Sequence, residues 1–174
     1  NHWLDPNGQL YKAEMFEFFR YPESLKSQSD PGYDKQAFER VLEIQGREDH
    51  DKLLAMLDDV NNRAIPINDV IAEHFDLDNY LTWLAANILM DNMDTDAHNY
   101  LLYSPLNSNK WYFVPWDYDG GWELQRGLSS ISPYSSGISN YWGNVLHNRF
   151  LHSEANVRLL RNKLDELHKT INNE

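Results

Sequence analysis

Two apolar runs split by a turn constrain this chain more than any other stretch. Tyr100 to Tyr103 form the first run, Ser104 to Lys110 read SPLNSNK, and Trp111 to Trp116 form the second. Aromatic and apolar residues on either side of a Ser/Pro/Asn cluster predict a β-hairpin. The polar residues at its open end then gain meaning. Asn99 opens the first strand, Asp117 closes the second, and Asp94 lies five residues before Asn99. Three oxygen-bearing side chains at strand ends suit binding of a divalent cation and orientation of an attacking hydroxyl.

The rest of the chain reads as support for that corner. The strongest helical signal is 77–91, where Leu77, Tyr80, Leu81, Leu84, Ala85, Ile88 and Leu89 follow helical spacing behind a capping Asp76. Its C-terminal end points at Asp91–Asp94. Upstream, Gln9 to Phe19 suits a strand and residues 20–32 a surface loop. Asp34 caps a predicted helix with Ala37, Phe38, Val41, Leu42 and Ile44 inside, closed by Gly46. Asp49 caps another with Leu53, Leu54, Met56, Leu57 and Val60 inside, and Asn68–Phe75 predicts a short helix. Residues 120–140, rich in Gly, Pro and Ser, predict a long irregular segment, and such loops often carry function. A short helix is expected within Asn140–Phe150. A final one over 154–171 has Val157, Leu160, Leu164, Leu167 and Ile171 inside.

Composition narrows the function classes. At 174 residues the chain reads as one domain, and 41% hydrophobic content is enough for a sizeable core. A net charge of −12 argues against a nucleic-acid or anionic-membrane partner and suits cations or a basic protein. The absence of cysteine excludes disulfides and thiolate metal sites. No apolar run reaches the ~20 residues of a membrane span. The chain opens at Asn1 without Met, which reads as a fragment of a longer protein.

Bland roles compete with chemical ones. Asp94, Asn99 and Asp117 could be ordinary loop polars, which are common at strand ends. Asp119 is as well read as a solvated turn residue before Gly120-Gly121, and Asp91 and Asp96 as helix-end and loop polars. His98 reads as structural and Lys12 as a surface strand lysine. Among the other histidines, His2, His50, His74, His147 and His152 have no zinc-ligand spacing. An EF-hand fails at its twelfth position, which is Pro105 counted from Asp94 and Leu128 counted from Asp117. Trp116, Trp122, Tyr134, Tyr141 and Trp142 suit either a sugar-stacking face or core packing.

The order Asp, Asn five positions on, hairpin, Asp is that of the protein-kinase catalytic and metal-binding loops, where H-R-D-x-x-x-x-N precedes D-F-G. The hairpin here is longer, and no Phe-Gly follows Asp117. Three stretches together resemble the spore-coat-protein-H (CotH) kinase family: N-M-D-T-D-A-H-N-Y-L-L-Y, W-Y-F-V-P-W-D-Y-D, and G-Q-L-Y-K near the start. The similarity runs from about residue 8 to the last helix.

The resemblance implies an α+β fold, mostly helical. It would be a single domain over 1–174, like the C-terminal lobe of a protein kinase, with a central metal-binding hairpin and no upstream nucleotide-binding lobe. It further implies an atypical Ser/Thr kinase that uses ATP with Mg²⁺ or Mn²⁺. Asp94 would be catalytic, Asn99 and Asp117 the metal and cofactor ligands, and Asp119 a further metal ligand. Asp96/Asp119 share the spacing of Asp94/Asp117, but only Asp94 has the right offset to Asn99. The expected substrate is a basic, Ser-rich coat or surface protein, in a spore-coat or secreted, cell-surface setting. The fragment alone is expected to bind ATP poorly. The rival reading is a non-catalytic module stabilised by Ca²⁺ that binds a glycan or coat protein.

Overall fold

The computed structural model describes residues 4–121 and 137–172. A small antiparallel sheet carries the hairpin. Its strands are β1 (Gln9–Ala13), β2 (Leu42–Ile44), β3 (Tyr100–Ser104) and β4 (Tyr112–Pro115), in the order β2-β1-β3-β4. The β3–β4 pair is the expected hairpin, in register from Tyr100↔Pro115 to Tyr103↔Tyr112. β1 lies on its other side, with Tyr11 opposite Leu102.

Among the described residues there are six α-helices: α1 (Lys35–Glu39), α2 (Asp51–Asn61), α3 (Ile67–His74), α4 (Leu77–Leu89), α5 (Val145–Leu151) and α6 (Glu154–Asn172). The fold is therefore mixed α and β, with helix residues outnumbering strand residues. α4 forms where its pattern predicts, and Asp76 caps it by accepting the Asn79 N–H at 2.9 Å. It packs between α6 and β4. Trp83 of α4 stacks on Phe113 of β4 with ring centroids 4.5 Å apart, and Phe18, Phe75, Tyr80 and Tyr100 also surround Phe113. Burying each such side chain contributes about 1.5–3 kcal/mol, so this aromatic centre fixes the hairpin against α4.

The outer edge of β4 is closed by side-chain and loop pairing. Phe113 N–H donates to Asn79 Oδ1 at 2.8 Å, and Asn79 Nδ2 donates back to Phe113 C=O at 3.1 Å. Trp111 N–H donates to His74 C=O at 2.7 Å, and Asp76 N–H to Trp111 C=O at 3.3 Å. These pairs satisfy a strand edge that would otherwise expose its backbone.

Several expectations need correction. The helix after Asp34 stops at Glu39, and Leu42–Ile44 form strand β2, because Ala13↔Leu42 and Tyr11↔Ile44 pair across the sheet. Gly46 closes no helix. A Cβ there would lie 2.8 Å from Leu10 N and 3.0 Å from Gly8 C=O, so it permits close backbone approach. The first strand ends at Ala13. Phe16 and Phe18 are buried beyond it, and Phe18 takes a left-handed φ of 61°. His50, not Asp49, is the N-cap of α2, although Asp49 still accepts the Asp51 N–H at 3.3 Å. Ile171 is 61% exposed, whereas Leu160 and Asn156 are the buried residues of α6. Within 120–140, a 3-10 turn covers Gly137–Tyr141, and 122–136, with Trp122 and Tyr134, lie outside the described residues. Among the described residues no helix is long and apolar enough to cross a membrane.

Candidate functional site

α4 ends at Met90, and Asp91 turns the chain with a left-handed φ of 50°. A short 3-10 turn, Met93–Thr95, follows, in which Asp94 leaves helical geometry (φ −93°, ψ 23°) and is exposed. Asn99 then enters β3 with φ 57°, and Asp117 leaves the hairpin with φ 52°. Non-glycine residues in this region are uncommon and cluster at functional sites. Three of them fall on the chain reversals that flank the hairpin and lead from α4.

The structure brings Asp94 and Asn99 together. Asn99 Nδ2 donates to Asp94 Oδ2 at 2.8 Å, leaving each Oδ1 to face another partner. Asn99 and Asp117 lie just beyond the Tyr100↔Pro115 pair, so they share one end of the hairpin. Asp117 and Asp119 are both exposed, the latter in the 3-10 turn Tyr118–Gly120. Asp96 differs from Asp94. It is half-buried, and burial raises its carboxyl pKa above the ordinary value against the opposing pull of the Ala97 N–H.

Neighbouring groups hold this loop in place. Phe16 N–H donates to Ala97 C=O at 2.9 Å, and Tyr100 Oη donates to Phe16 C=O at 2.8 Å. Asn144 Nδ2 donates to Asp96 C=O at 2.8 Å while its Oδ1 caps α5 through Leu146 and His147 N–H. Thr95 Oγ1 donates to Asn92 C=O at 3.1 Å and lies 2.9 Å from Tyr141 Oη. Tyr141 is 1% exposed and belongs to the core, not to a sugar-stacking face. Trp116 and Trp142 are about half exposed, and Trp142 stacks on His152. Lys12 pairs with Glu14 at 2.6 Å and Glu43 at 3.7 Å. His98 lines a shallow cleft with Glu14, Glu39, Arg40 and Glu43. An apolar groove between α3, α4 and α6 contains none of the four candidate residues.

The sequence reading missed Asn87, Asn92 and Asn144. Asn87 and Asn92 are 1% exposed beneath the loop, and among the described residues neither amide atom of Asn92 has a hydrogen-bond partner. Asn144 could have been found as a cap before the apolar residues of α5. Asn87 sits on the polar break of a helical face and gave no signal.

The chemistry of the expected ligands fits a hard cation. Asn99, Asp117 and Asp119 would offer oxygen alone, which suits Mg²⁺, Mn²⁺ or Ca²⁺. Among the described residues no group of three or more His, Cys, Asp or Glu side chains is placed to hold a metal ion, so Asp94, Asp117 and Asp119 are not brought together as one. An open set that relies on an amide and on ligand oxygens is how Mg²⁺ is usually held beside phosphate.

The family described as CotH kinase protein matches residues 1–174. The chain is also 40% identical over 52 residues to the inner spore coat protein H of Bacillus subtilis (strain 168), covering 30% of this chain. It spans 14% of the length of that relative. The family model matches the whole of residues 1–174: the chain belongs to the CotH kinase protein family.

Proposed function

We propose that this domain is the catalytic part of a CotH-type protein kinase that phosphorylates Ser or Thr on a basic, Ser-rich spore-coat or surface protein. The observation that carries the reading is the Asp94–Asn99 hydrogen bond, at the end of the hairpin that also bears Asp117. In kinase catalysis the protein supplies positioning and charge rather than covalent chemistry. When bound, ATP supplies the γ-phosphoryl group and Mg²⁺ or Mn²⁺ offsets its charge.

Asp94 accepts a hydrogen bond from the substrate hydroxyl and takes its proton as the nucleophile forms. Asn99 fixes the Asp94 carboxylate through one amide arm and offers Oδ1 to the cation. Asp117, with Asp119 behind it, offers carboxylate oxygens from the partner strand. The exposure of Asp94 and the partial burial of Asp96 favour Asp94 as the primary acid, since a carboxylate that takes a proton from the substrate hydroxyl must be within its reach. Relatedness to an inner spore coat protein supports a coat setting.

The rival, a Ca²⁺-stabilised glycan- or coat-binding module, keeps the exposed Trp116 and Trp142 but loses Tyr141 to the core. The test is phosphotransfer from labelled ATP to a basic Ser-rich peptide by the full protein, wild type and Asp94→Ala. The kinase reading expects transfer that Asp94→Ala abolishes while the circular dichroism spectrum stays unchanged. Transfer that survives Asp94→Ala removes the role given to that residue.

A further inference from the structure

Asp94 is exposed, and Asp96 and Asn99 are only partly buried. The Asp94–Asn99 hydrogen bond therefore owes little to packing from outside. The buried residues of the loop between them are Thr95 and Ala97, so its shape is set from the inner side.

The inner contacts form a closed ring of hydrogen bonds. Ala97 C=O accepts from Phe16 N–H at 2.9 Å, and the next residue, Glu17, accepts through its C=O from Val145 N–H at 2.9 Å. Val145 opens α5, and Asn144 before it returns to the loop by donating from Nδ2 to Asp96 C=O at 2.8 Å. Two of the three links are backbone to backbone. The third runs through the Asn144 side chain, which is 1% exposed. Asp96 lies two residues after Asp94 and three before Asn99, so this link holds the middle of the loop. The same segment grips the loop once more. Thr95 Oγ1 gives its proton to Asn92 C=O, so Tyr141 Oη, 2.9 Å away, donates to Thr95 Oγ1. Asn144 N–H donates to Tyr141 C=O at 3.3 Å and joins the two grips.

We infer that Asn144, with Tyr141, is a positioning residue for phosphotransfer: it sets the height and tilt of the loop that presents the Asp94 carboxylate. This rests on the kinase reading given above. The amide has two separable jobs. Its Oδ1 caps α5 by accepting from Leu146 and His147 N–H, and its Nδ2 holds the loop. Capping alone needs only an oxygen, which Ser or Asp supplies equally well. Holding the loop needs the second arm, which an asparagine adds. A displacement of about 1 Å at reacting groups can cost about 100-fold in rate, so a loop held at its middle carbonyl matters to chemistry more than to binding.

The test uses Asn144→Ser, which keeps a capping oxygen and removes the loop donor, and Tyr141→Phe, which deletes one hydroxyl. Phosphotransfer from labelled ATP to the basic Ser-rich peptide is measured for the full protein, with kcat and both KM values. Amide exchange is followed in residues 94–99 and 145–151. The expected result for Asn144→Ser is a kcat lower by about tenfold or more, with KM for ATP and peptide within about twofold. Exchange should quicken in the loop and stay unchanged in α5. Tyr141→Phe should lower kcat in the same direction. A folded Asn144→Ser with unchanged kcat, or with KM raised in its place, overturns the positioning role and leaves the kinase reading standing. Exchange that quickens in α5 and not in the loop also overturns it, because Asn144 then acts as a cap alone. If Asn144→Ser does not fold, Tyr141→Phe decides by the same split of kcat from KM. A wild type that transfers no phosphate removes the kinase reading, and the positioning role with it.

Discussion

Asn79 is where the long helix holds the hairpin, and its removal should be felt in both. Its side chain makes two hydrogen bonds to the Phe113 backbone, at 2.8 and 3.1 Å, on the open edge of β4. Asn79→Ala deletes both and strands one N–H and one C=O of a strand whose Phe113 side chain is 1% exposed. Each lost bond costs about 0.5–1.5 kcal/mol, and a stranded buried group about 1–3 kcal/mol. Some solvent reaches this edge, so the sum is nearer the lower ends, about 2–4 kcal/mol. For a chain of this size that is roughly 2–4 °C of melting temperature per kcal/mol. Urea unfolding monitored by tryptophan fluorescence measures it directly. Asn79→Asp should fall between wild type and Asn79→Ala. It keeps an acceptor for the Phe113 N–H but sets a carboxylate against the Phe113 carbonyl. A loss below about 0.5 kcal/mol for Asn79→Ala would refute the claim that this amide stands in for a missing strand.

Other perturbations follow from the same geometry. His147 is fully buried, bonded through Nδ1 to Tyr80 Oη at 2.9 Å, and burial depresses its pKa from 6.5 to about 3. The unfolded chain then binds the extra proton between those values. Stability is full above pH 6.5 and falls as pH drops toward 3, by about 2 kcal/mol between pH 7 and 5. His147→Phe should remove that slope in urea titrations at the two pH values. Lys52 donates to the Pro105 and Ser108 carbonyls in the hairpin turn, at 2.7 and 2.8 Å, and lies over the Trp111 ring. Lys52→Met should cost about 1–3 kcal/mol and speed amide exchange in residues 105–110. Gly46→Ala forces a methyl group against Leu10 N and Gly8 C=O and should cost about 1–3 kcal/mol, read as a drop in melting temperature.

Local patterns announced some of this molecule and left other parts silent. α4 was legible because its apolar spacing and Asp76 cap agree with its tertiary role. The hairpin was legible because two aromatic-rich runs flank a turn. β2 was not, since Leu42–Ile44 continues a helical apolar pattern, and only its pairing with β1 makes it a strand. Phe16 and Phe18 read as strand residues but owe their burial to irregular backbone, including a left-handed Phe18.

At the site, the Asp94–Asn99 offset put both residues on one corner, and they do form a hydrogen bond. The left-handed backbone of Asp91, Asn99 and Asp117, and the burial of Asn87 and Asn92, carry no sequence signal. An asparagine in a helix or turn looks the same whether it faces water or a buried turn.

The account rests on Asp117 and Asn99 holding a divalent cation that ATP helps retain. Calorimetric titration with Mg²⁺ and Mn²⁺, with and without ATP, on wild type and Asp117→Ala, tests it most directly. The account predicts binding that ATP strengthens and Asp117→Ala abolishes. Tight Ca²⁺ binding that ignores both ATP and the Asp117→Ala substitution would contradict it.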